Sequence, residues 1–447
     1  MFEREIASLA VWLESWNRDG SYCGPVIHRC NSARLLRVHE TEWTQSAVIE
    51  GYLNLYERHH EPAHLERAVA VARNDLRKYG WRRHVWRYAG HEDDHYRSLV
   101  HCALIDNALL RLYKHVDDPF REQILSTVRD NVDGYLVDRL WNEERGAFAF
   151  SAYGPSRATQ RFVVNMNAEA VKTLAMLQTI EGSRDFSPFI ERALEFVMAS
   201  RISSDDPLLN HALPYERTDQ ATTNCVAIYE GLTLSALSDV CRMRPSARLR
   251  EFIAGVASHL AAFRDPDSGL FYHTHDGALV PCPFFVAGSA FCLRGLRKAE
   301  AARGIDLSVS ATTREIVERY RLPHGAYPGF VAYDSPGNGR TRGTNRYGFS
   351  GNEVFEDVTP TLSWNAHMFE HLTSYSDNLL PDAGRSKYRF SNGRCVVRES
   401  DRWLCVLSWW PWRSLACLLY RKGLRYAVVG LAYYGLKNAI LKDLLRR

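Results

Sequence analysis

The sequence lacks several features that would each indicate a class of protein. Its ten cysteines form no CxxC pair with zinc-site spacing, and several lie in apolar helical runs as free thiols. No uncharged apolar stretch reaches about 18 residues, and the N-terminus has no apolar run of signal-peptide length. A formal charge of +4 is too small to indicate a nucleic-acid partner. We therefore expect a reduced, cytoplasmic protein without a transmembrane helix, metal, cofactor or nucleic-acid partner.

The small net charge is unevenly distributed. Residues 411–447 hold eight Lys or Arg and one Asp, so the preceding residues are slightly acidic as a group. This basic, aromatic tail opens at Trp409 and has Arg421, Lys422 and Lys437 between its apolar residues. Membrane-surface helices have this composition, and so do helices that pack against a domain or a partner subunit. An anionic membrane surface is therefore one candidate partner for residues 409–447, which would make the protein peripheral at a membrane, and packing against the toroid or a partner subunit is the alternative.

Six stretches predict helices that are apolar or small on most faces. Such helices are normally buried, and a recurrence every 55 to 75 residues or so indicates an internal repeat. The predicted inner helices span 43–56, 96–114, 164–179, 222–240, 283–298 and 359–375.

An amphipathic helix precedes each of these six stretches, and its pattern predicts one solvent-exposed face. The predicted outer helices span 2–16, 63–79, 119–140, 187–200, 246–263 and 310–320. A turn glycine followed by aromatic residues recurs after outer helices, at Gly20, Gly146, Gly269 and Gly325. These segments read as short strands or as tight turns with packing aromatics.

Six outer–inner pairs predict a closed double ring, an all-α (α/α)6 toroid. In repeat number and glycine-aromatic connections the chain resembles the toroidal carbohydrate-active enzymes: glycoside hydrolases, polysaccharide lyases and sugar epimerases. The resemblance covers 1–376, which we expect to be the catalytic domain. A short β-hairpin segment (377–410), with an Asn-Gly turn at Asn392, and the basic amphipathic tail (411–447) follow. Isoprenoid cyclases and protein prenyltransferase subunits are similar toroids, so the fold alone does not choose the reaction.

Polar and aromatic residues concentrate where each inner helix begins, and the resemblance implies that these places face one mouth of the ring. We expect Asp93, Asp94, Glu216 and Asp357 to supply catalytic carboxyl groups, because glycosidic cleavage needs an acid and a base on opposite sides of the sugar. Capping of helix N-termini explains such acids equally well. The expected substrate-binding residues are His39, Glu42, Trp43, His95, Tyr96, Asn165, Asn167, Tyr215, Asp219, His273, His275, Tyr347, Glu356 and Trp364.

Two motifs suggest other chemistry. His273 and His275 would share one face of a strand, but no third metal ligand follows from the spacing. Glu92-Asp93-Asp94 is similar to the DxDD motif of class II terpene cyclases, except that His91 stands where the first aspartate should be.

The sequence therefore predicts a carbohydrate-active enzyme, most simply a glycoside hydrolase, that cleaves or epimerises a glycan or glycolipid by carboxylate acid/base chemistry. Lyase or epimerase chemistry stays open, because a Tyr–His pair could abstract a proton beside a uronate carboxylate. The alternatives are a membrane-associated isoprenoid cyclase or prenyl-type toroid and a non-catalytic scaffold.

Overall fold

The structure is a computed structural model. It describes residues 2–30, 33–40, 42–78, 98–152, 161–180, 182–207, 209–217, 225–266, 268–275, 278–280, 284–303, 306–322, 324–331, 356–357, 360–375, 388–391, 394–399 and 402–405. Two compact units divide the chain, Met1–Leu380 and Pro381–Arg447. Within the described part of the chain, no helix is both long enough and apolar enough to cross a membrane.

Twelve α-helices in the described residues form the first unit, and they alternate between outer and inner positions. The outer helices are α1 (Glu3–Glu14), α3 (Pro62–Lys78), α5 (Phe120–Asn131, continued as a π-helix over Val132–Leu140), α7 (Ser187–Ala199), α9 (Ala247–Ala262) and α11 (Val309–Tyr320). The inner helices are α2 (Glu42–His59), α4 (Leu99–Leu112), α6 (Val164–Gln178), α8 (Ala227–Met243), α10 (Ser289–Arg303) and α12 (Leu362–Thr373).

The six inner helices close into a ring. Each packs against the next in the order α2, α4, α6, α8, α10 and α12, and α12 packs against α2. All residues of α4 except Arg111 are buried, whereas α7 buries only Ile190, Ala193, Phe196 and Val197. An apolar residue on every face therefore marks an inner helix, and one apolar stripe marks an outer helix. The predicted all-α (α/α)6 toroid is confirmed.

A repeated amide clamp ties three inner helices to the preceding glycine-aromatic segments. The fourth residues of α6 and α12, Asn167 and Asn365, each exchange two hydrogen bonds with the backbone of one aromatic residue. Phe148 N donates to Asn167 Oδ1 (2.7 Å) and Tyr327 N donates to Asn365 Oδ1 (2.7 Å), and both amides donate back to the carbonyls at 3.0 Å. Gln45 of α2 holds Tyr22 in the same way, at 3.4 and 3.3 Å.

The glycines of these segments have a backbone requirement of their own. Gly20 has φ +85° and Gly325 has φ +94°, a left-handed conformation that side chains rarely adopt. A Cβ on Gly20 would also collide with the carbonyl of Ala70. Glycine is therefore needed here for the turn and for the close approach of the chain.

The strands of the first unit are short apart from one hairpin, and all their pairings are antiparallel. They are β1 (Asn17–Arg18), β2 (Ser21–Cys30), β3 (Ala33–Glu40), β4 (Trp141–Asn142), β5 (Ala147–Phe148), β6 (His273–His275), β7 (Ala278–Val280), β8 (Phe284–Phe285), β9 (Phe330–Val331) and β10 (Glu356–Asp357). They form sheets in the orders β1-β2-β3, β4-β5, β6-β7 and β10-β9-β8.

Two inner helices begin later than their apolar patterns predict. The fifth was predicted from Pro283 but begins at Ser289, because Phe284 and Phe285 pair with β9. The fourth was predicted from Thr222 but begins at Ala227, since Cys225 forms a bridge with Pro214. Apolar strand residues that run into a buried helix extend its pattern, so the sequence alone misplaces the boundary.

The second unit contains a three-stranded antiparallel sheet in its described residues. Its strands are β11 (Tyr388–Ser391), β12 (Arg394–Glu399) and β13 (Arg402–Cys405), and Ser391 pairs with Arg394. This is the hairpin, with its further strand, that the sequence predicts. The Asn-Gly pair predicted as the turn and the tail over 409–447 lie outside the described residues.

Candidate active site

Four rings from four different inner helices meet at the N-terminal side of the ring. Trp43 of α2 lies 5.8 Å from His101 of α4, 5.7 Å from Phe291 of α10 and 5.7 Å from His367 of α12, measured between ring centroids. Trp43, His101 and Phe291 lie in the first turns of their helices, so these helices begin at the same side of the ring. We call these four residues the axial ring cluster.

His367 is the most chemically informative member of this cluster, because its two ring nitrogens have different environments. Its Nδ1 lies 3.0 Å from Oε2 of Glu370, one turn further along α12. Nε2 is buried and has no hydrogen-bond partner among the described residues. With Nδ1–H donated to the carboxylate, Nε2 keeps its lone pair and can accept a proton.

Arg294 of α10 completes this arrangement with an ion pair to the same Oε2 atom of Glu370. Burial lowers the pKa of His367 to about 4, although the nearby Glu370 opposes that effect. Burial alone would raise the pKa of Glu370, but the charge of Arg294 and the bond to His367 lower it to about 2. At neutral pH the group is therefore a neutral imidazole beside a carboxylate–guanidinium ion pair.

A balanced set of buried and half-buried charges lies further along the inner helices. It contains four carboxylates and four cations, contributed by all six inner helices, and we call it the axial charge network. Its members are Glu50, Arg111, Glu169, Lys172, Asp239, Arg294, Lys298 and Glu370.

Lys172 and Lys298 both contact Oδ2 of Asp239, at 3.0 and 2.5 Å. Burial alone would raise the pKa of Asp239, but the two lysines hold it far below its usual range. Burial raises the pKa of Glu169, against the nearby lysine and arginine charges. Within the described residues the network is close to neutral overall, so it offers no net positive site for an anionic ligand.

Several buried polar atoms around the axis have no hydrogen-bond partner among the described residues. The donors are Trp43 Nε1 and Arg294 Nε, the acceptors are Asn107 Oδ1 and Asn165 Oδ1, and His367 Nε2 is also unpaired. Buried polar groups are normally satisfied, so each of these atoms calls for a partner. Sugar hydroxyl groups, which both donate and accept, and ordered water meet that requirement.

A second group of residues lies at the same side of the ring, where α6 and α8 begin. The rings of Tyr215 and Tyr229 are 4.9 Å apart, and Val164 N donates to Tyr215 O at 3.1 Å. Nε of Arg161 donates to Oε2 of Glu216 at 2.6 Å, and both side chains are about one-third exposed, at 36% and 32%. We call Arg161, Tyr215, Glu216 and Tyr229 the rim cluster.

The structure thus gives the predicted site residues different surroundings. Trp43 belongs to the axial ring cluster, and Asn165 is buried at the start of α6 with its Oδ1 unpaired among the described residues. Tyr215 and Glu216 lie in the rim cluster, where Glu216 is paired with Arg161. Trp364 contacts Phe285 at 4.8 Å near the start of α12. Asn167, in contrast, uses its amide to hold the backbone of Phe148 and Val163, which is a structural task.

The remaining predicted residues are described only as backbone or not at all. His39 lies in β3, Glu42 begins α2, His273 and His275 lie in β6, and Glu356 and Asp357 form β10. The backbone of Asp357 is paired with Phe330, whose other neighbour is Phe285, just before α10. Asp93, Asp94, His95, Tyr96, Asp219 and Tyr347 lie outside the described residues.

Sequence reasoning gave too little weight to His101, Arg294, His367 and Glu370. His367 and Glu370 are three residues apart in the buried helix α12, and that spacing places them on one face. Two titratable residues on one face of a buried helix were the available signal. Nothing local links them to Arg294, because that contact crosses from α12 to α10.

The fold is shared with solved carbohydrate-active enzymes. A cellobiose 2-epimerase from Bacillus thermoamylovorans aligns with a TM-score of 0.59 and 11% identity, covering 84% of this chain and 99% of that one. A D-mannose isomerase aligns at 0.58 and 11%, covering 83% and 96%. An unsaturated glucuronyl hydrolase specific for heparin aligns at 0.53 and 10%, covering 83% and 95%. No protein-family model and no curated protein sequence matches the chain. At these identities the similarity shows the (α/α)6 fold alone.

Proposed function

We propose that this protein is a carbohydrate-active enzyme that moves a proton at a sugar carbon beside a carbonyl group, as epimerases and isomerases do, with His367 as the base. One observation carries the proposal: a buried, neutral imidazole whose Nδ1 is bound to Glu370 and whose Nε2 is unpaired among the described residues. Solved toroids with such activities, the cellobiose 2-epimerase and the D-mannose isomerase, support it.

The proposed reaction begins with an open-chain aldose at the axial ring cluster. Nε2 of His367 takes the proton from C2, and the electron pair moves to the carbonyl oxygen, which gives an enediolate and an imidazolium. Glu370 then stabilises the imidazolium through Nδ1–H. A second acid that delivers a proton to C2 from the opposite face restores the C1 carbonyl and gives the epimer, and His367 then loses its proton to water. Return of the His367 proton to C1, with transfer of the O2 hydroxyl proton to O1, gives the ketose.

His101 is suited to the second proton transfer. It is buried, and it contacts the same indole of Trp43 as His367 does. A sugar held near this indole would then lie within reach of two histidines from different inner helices. Trp43 Nε1 and Asn165 Oδ1 would bind its hydroxyl groups, because both atoms are buried without partners among the described residues.

Glycosidic cleavage is the second candidate. The acid-rich segment 91–96, with Asp93 and Asp94, precedes α4 in the chain. The first turn of α4 contributes His101 to the axial ring cluster. A solved toroid with hydrolase activity, the heparin-specific glucuronyl hydrolase, is a neighbour in fold. In this version Asp94 would be one of the two carboxyl groups that flank the glycosidic bond.

The test is deuterium exchange into sugars, followed by proton NMR in heavy water. Neutral mono- and disaccharides should exchange at C2 and change configuration or isomerise. H367N should lower the rate by a factor of roughly 100 to 10,000, because a general base is lost. H371N is the matched control, since His371 is equally buried in the same helix but bonds to Thr313 of α11.

Other results of this experiment would favour a different base or a different reaction. Exchange that persists in H367N removes this assignment of the base. Glycan cleavage without exchange favours the hydrolase, and D94N should then abolish cleavage. Conversion of labelled polyprenyl substrates with no change in any sugar would replace both candidates by the isoprenoid alternative.

A further inference from the structure

Glu370 uses one oxygen atom for two cationic or potentially cationic partners. Arg294 Nη1 and His367 Nδ1 both contact Oε2, and His367 does so at 3.0 Å. All three side chains are nearly inaccessible, with residue exposures of 9% for Arg294, 2% for His367 and 8% for Glu370. Water therefore cannot readily compensate a change in any one of the three charges.

The number of charges in this triad decides the state of the imidazole. A buried carboxylate needs one positive partner, because an unpaired buried charge is expensive. Arg294 supplies that partner permanently, since a guanidinium does not lose its proton in proteins. With Arg294 in place a proton on His367 would leave a surplus positive charge, and without Arg294 the imidazolium would be the only direct partner.

We propose that Arg294 is a positioning residue that keeps His367 unprotonated, by supplying the one positive charge that Glu370 requires. The consequence for catalysis rests on the proposed function. The assignment of charges within the triad is independent of the proposed function, because it follows from the contacts of Arg294, His367 and Glu370. Arg294 differs in this respect from the neighbouring Arg297, whose guanidinium contacts Tyr375 and Ser374.

The other charged groups around α12 do not replace Arg294. Among the described residues, α10 also presents Lys298, which is bonded to Asp239 and acts on Glu370 more weakly than Arg294 does. From α2, Glu50 is paired with Arg111. The two acids that α1 presents are also occupied. Glu14 pairs with Arg67 and accepts hydrogen bonds from Tyr22 and Tyr52. Glu5 is paired with Arg321. His371 on α12 itself bonds to Thr313. Glu169 of α6 acts on Arg294 electrostatically and adds negative charge.

The directions in which the pKa values of His367 and Glu370 are shifted agree with this role of Arg294. The charge of Arg294 contributes to the low pKa of His367 and is the strongest influence that lowers the pKa of Glu370. Removal of Arg294 should therefore raise the pKa of His367 through the uncompensated carboxylate. An opposite charge at this distance typically shifts a pKa by roughly one to three units.

The experiment is nitrogen NMR of the full-length protein labelled with 15N-histidine, in which the His367 signals are assigned by their loss in H367N. In the unchanged protein at pH 7, His367 should show one protonated and one unprotonated ring nitrogen. In R294M the protonation midpoint of His367 should rise by roughly one to three units, from about pH 4 to about pH 5 to 7. R294K, which keeps the charge, should resemble the unchanged protein.

The double variant R294M/E370Q gives the sharper test. It removes both charges, so the protonation midpoint of His367 should fall back below that of R294M, although neither native partner is present. R297M is the matched control and should leave the midpoint where it is in the unchanged protein. This pair of results cannot arise from loosened packing alone, because packing defects in R294M would persist in the double variant.

The outcomes separate this inference from the proposed function. An imidazolium at pH 7 in the unchanged protein, or a protonation midpoint of His367 that is no higher in R294M than in the unchanged protein, overturns the inference whatever the enzyme does. If R294M does not fold, R294Q, which also removes the charge but keeps a polar side chain, carries the same expectation. Where sugar exchange is measurable, the acid limb of kcat/KM should move to higher pH in R294M and return with R294K. Absence of any exchange refutes the proposed function and leaves the charge assignment standing.

Discussion

Replacing Asp106 by Asn should make the protein more stable at neutral and alkaline pH. Asp106 belongs to α4 and is completely buried. Its Oδ1 accepts a hydrogen bond from Asn131 Nδ2 at 3.0 Å, and its Oδ2 has no partner among the described residues. Burial raises the pKa of this carboxyl from 3.8 to about 8, against the opposing bond from Asn131. Asparagine has the shape of the protonated acid and no titratable proton.

The size and sign of the effect follow from linkage. The folded protein keeps a proton on Asp106 that the unfolded chain releases, so the free energy of unfolding falls as pH rises from about 4 to about 8. A difference of about four pKa units corresponds to as much as about 6 kcal/mol, at about 1.4 kcal/mol per unit. D106N should therefore match the unchanged protein near pH 4 and exceed it progressively up to pH 8.

Urea unfolding midpoints between pH 4.5 and pH 9, followed by circular dichroism, measure this difference. D133N is the matched control, because Asp133 is 48% exposed and pairs with Arg184 on the surface. That change should alter stability by less than about 1 kcal/mol at any pH. A D106N protein that is equally destabilised at every pH would refute the reasoning, since it would show that the carboxyl is ionised and satisfied in the folded state.

Three further predictions concern the clamp, the acidic segment and the tail. N365A should lower the free energy of unfolding by roughly 2 to 5 kcal/mol in urea titrations, because it leaves Tyr327 N–H and C=O buried and unpaired. D94N should abolish turnover with nearly unchanged thermal stability if Asp94 is a catalytic acid, and full activity in that variant would exclude the role. Deletion of 409–447 should release the protein from anionic vesicles in a flotation assay, and an intact protein that does not float would end the membrane prediction.

The sequence predicts the fold well, because buried and half-buried helices have different apolar patterns. The predicted helix over 164–179 corresponds to α6, Val164–Gln178, and the predicted helix over 187–200 corresponds to α7, Ser187–Ala199. Errors lie where strand residues adjoin a helix, as at Phe284 and Phe285. The repeat of glycine, aromatic residue and inner helix indicated a ring before any contact was known.

The axial site was harder to predict, because its essential contacts join residues that are far apart in the chain. Trp43 meets His367, and Arg294 meets Glu370, across different inner helices. Acidic residues at the starts of the inner helices are the most visible candidates in the sequence. One of them, Glu216, is instead paired with Arg161 in the rim cluster. Glu370 and Lys172 lie in the third turns of their helices, where the sequence does not distinguish them from other polar residues within largely apolar helices.

The axial charge network itself argues for a site inside the ring. Apolar contacts between inner and outer helices already form one continuous core, so the fold does not depend on charges at its axis. Buried ion pairs contribute little net stability compared with apolar residues of similar volume, because desolvation offsets their attraction. A ring built for stability alone would have leucine and phenylalanine at its centre. Eight charged side chains from six helices instead form a polar environment of fixed geometry. Two of them, Arg294 and Glu370, adjoin His367, whose Nε2 is unpaired among the described residues, and this arrangement suits the proposed proton transfer.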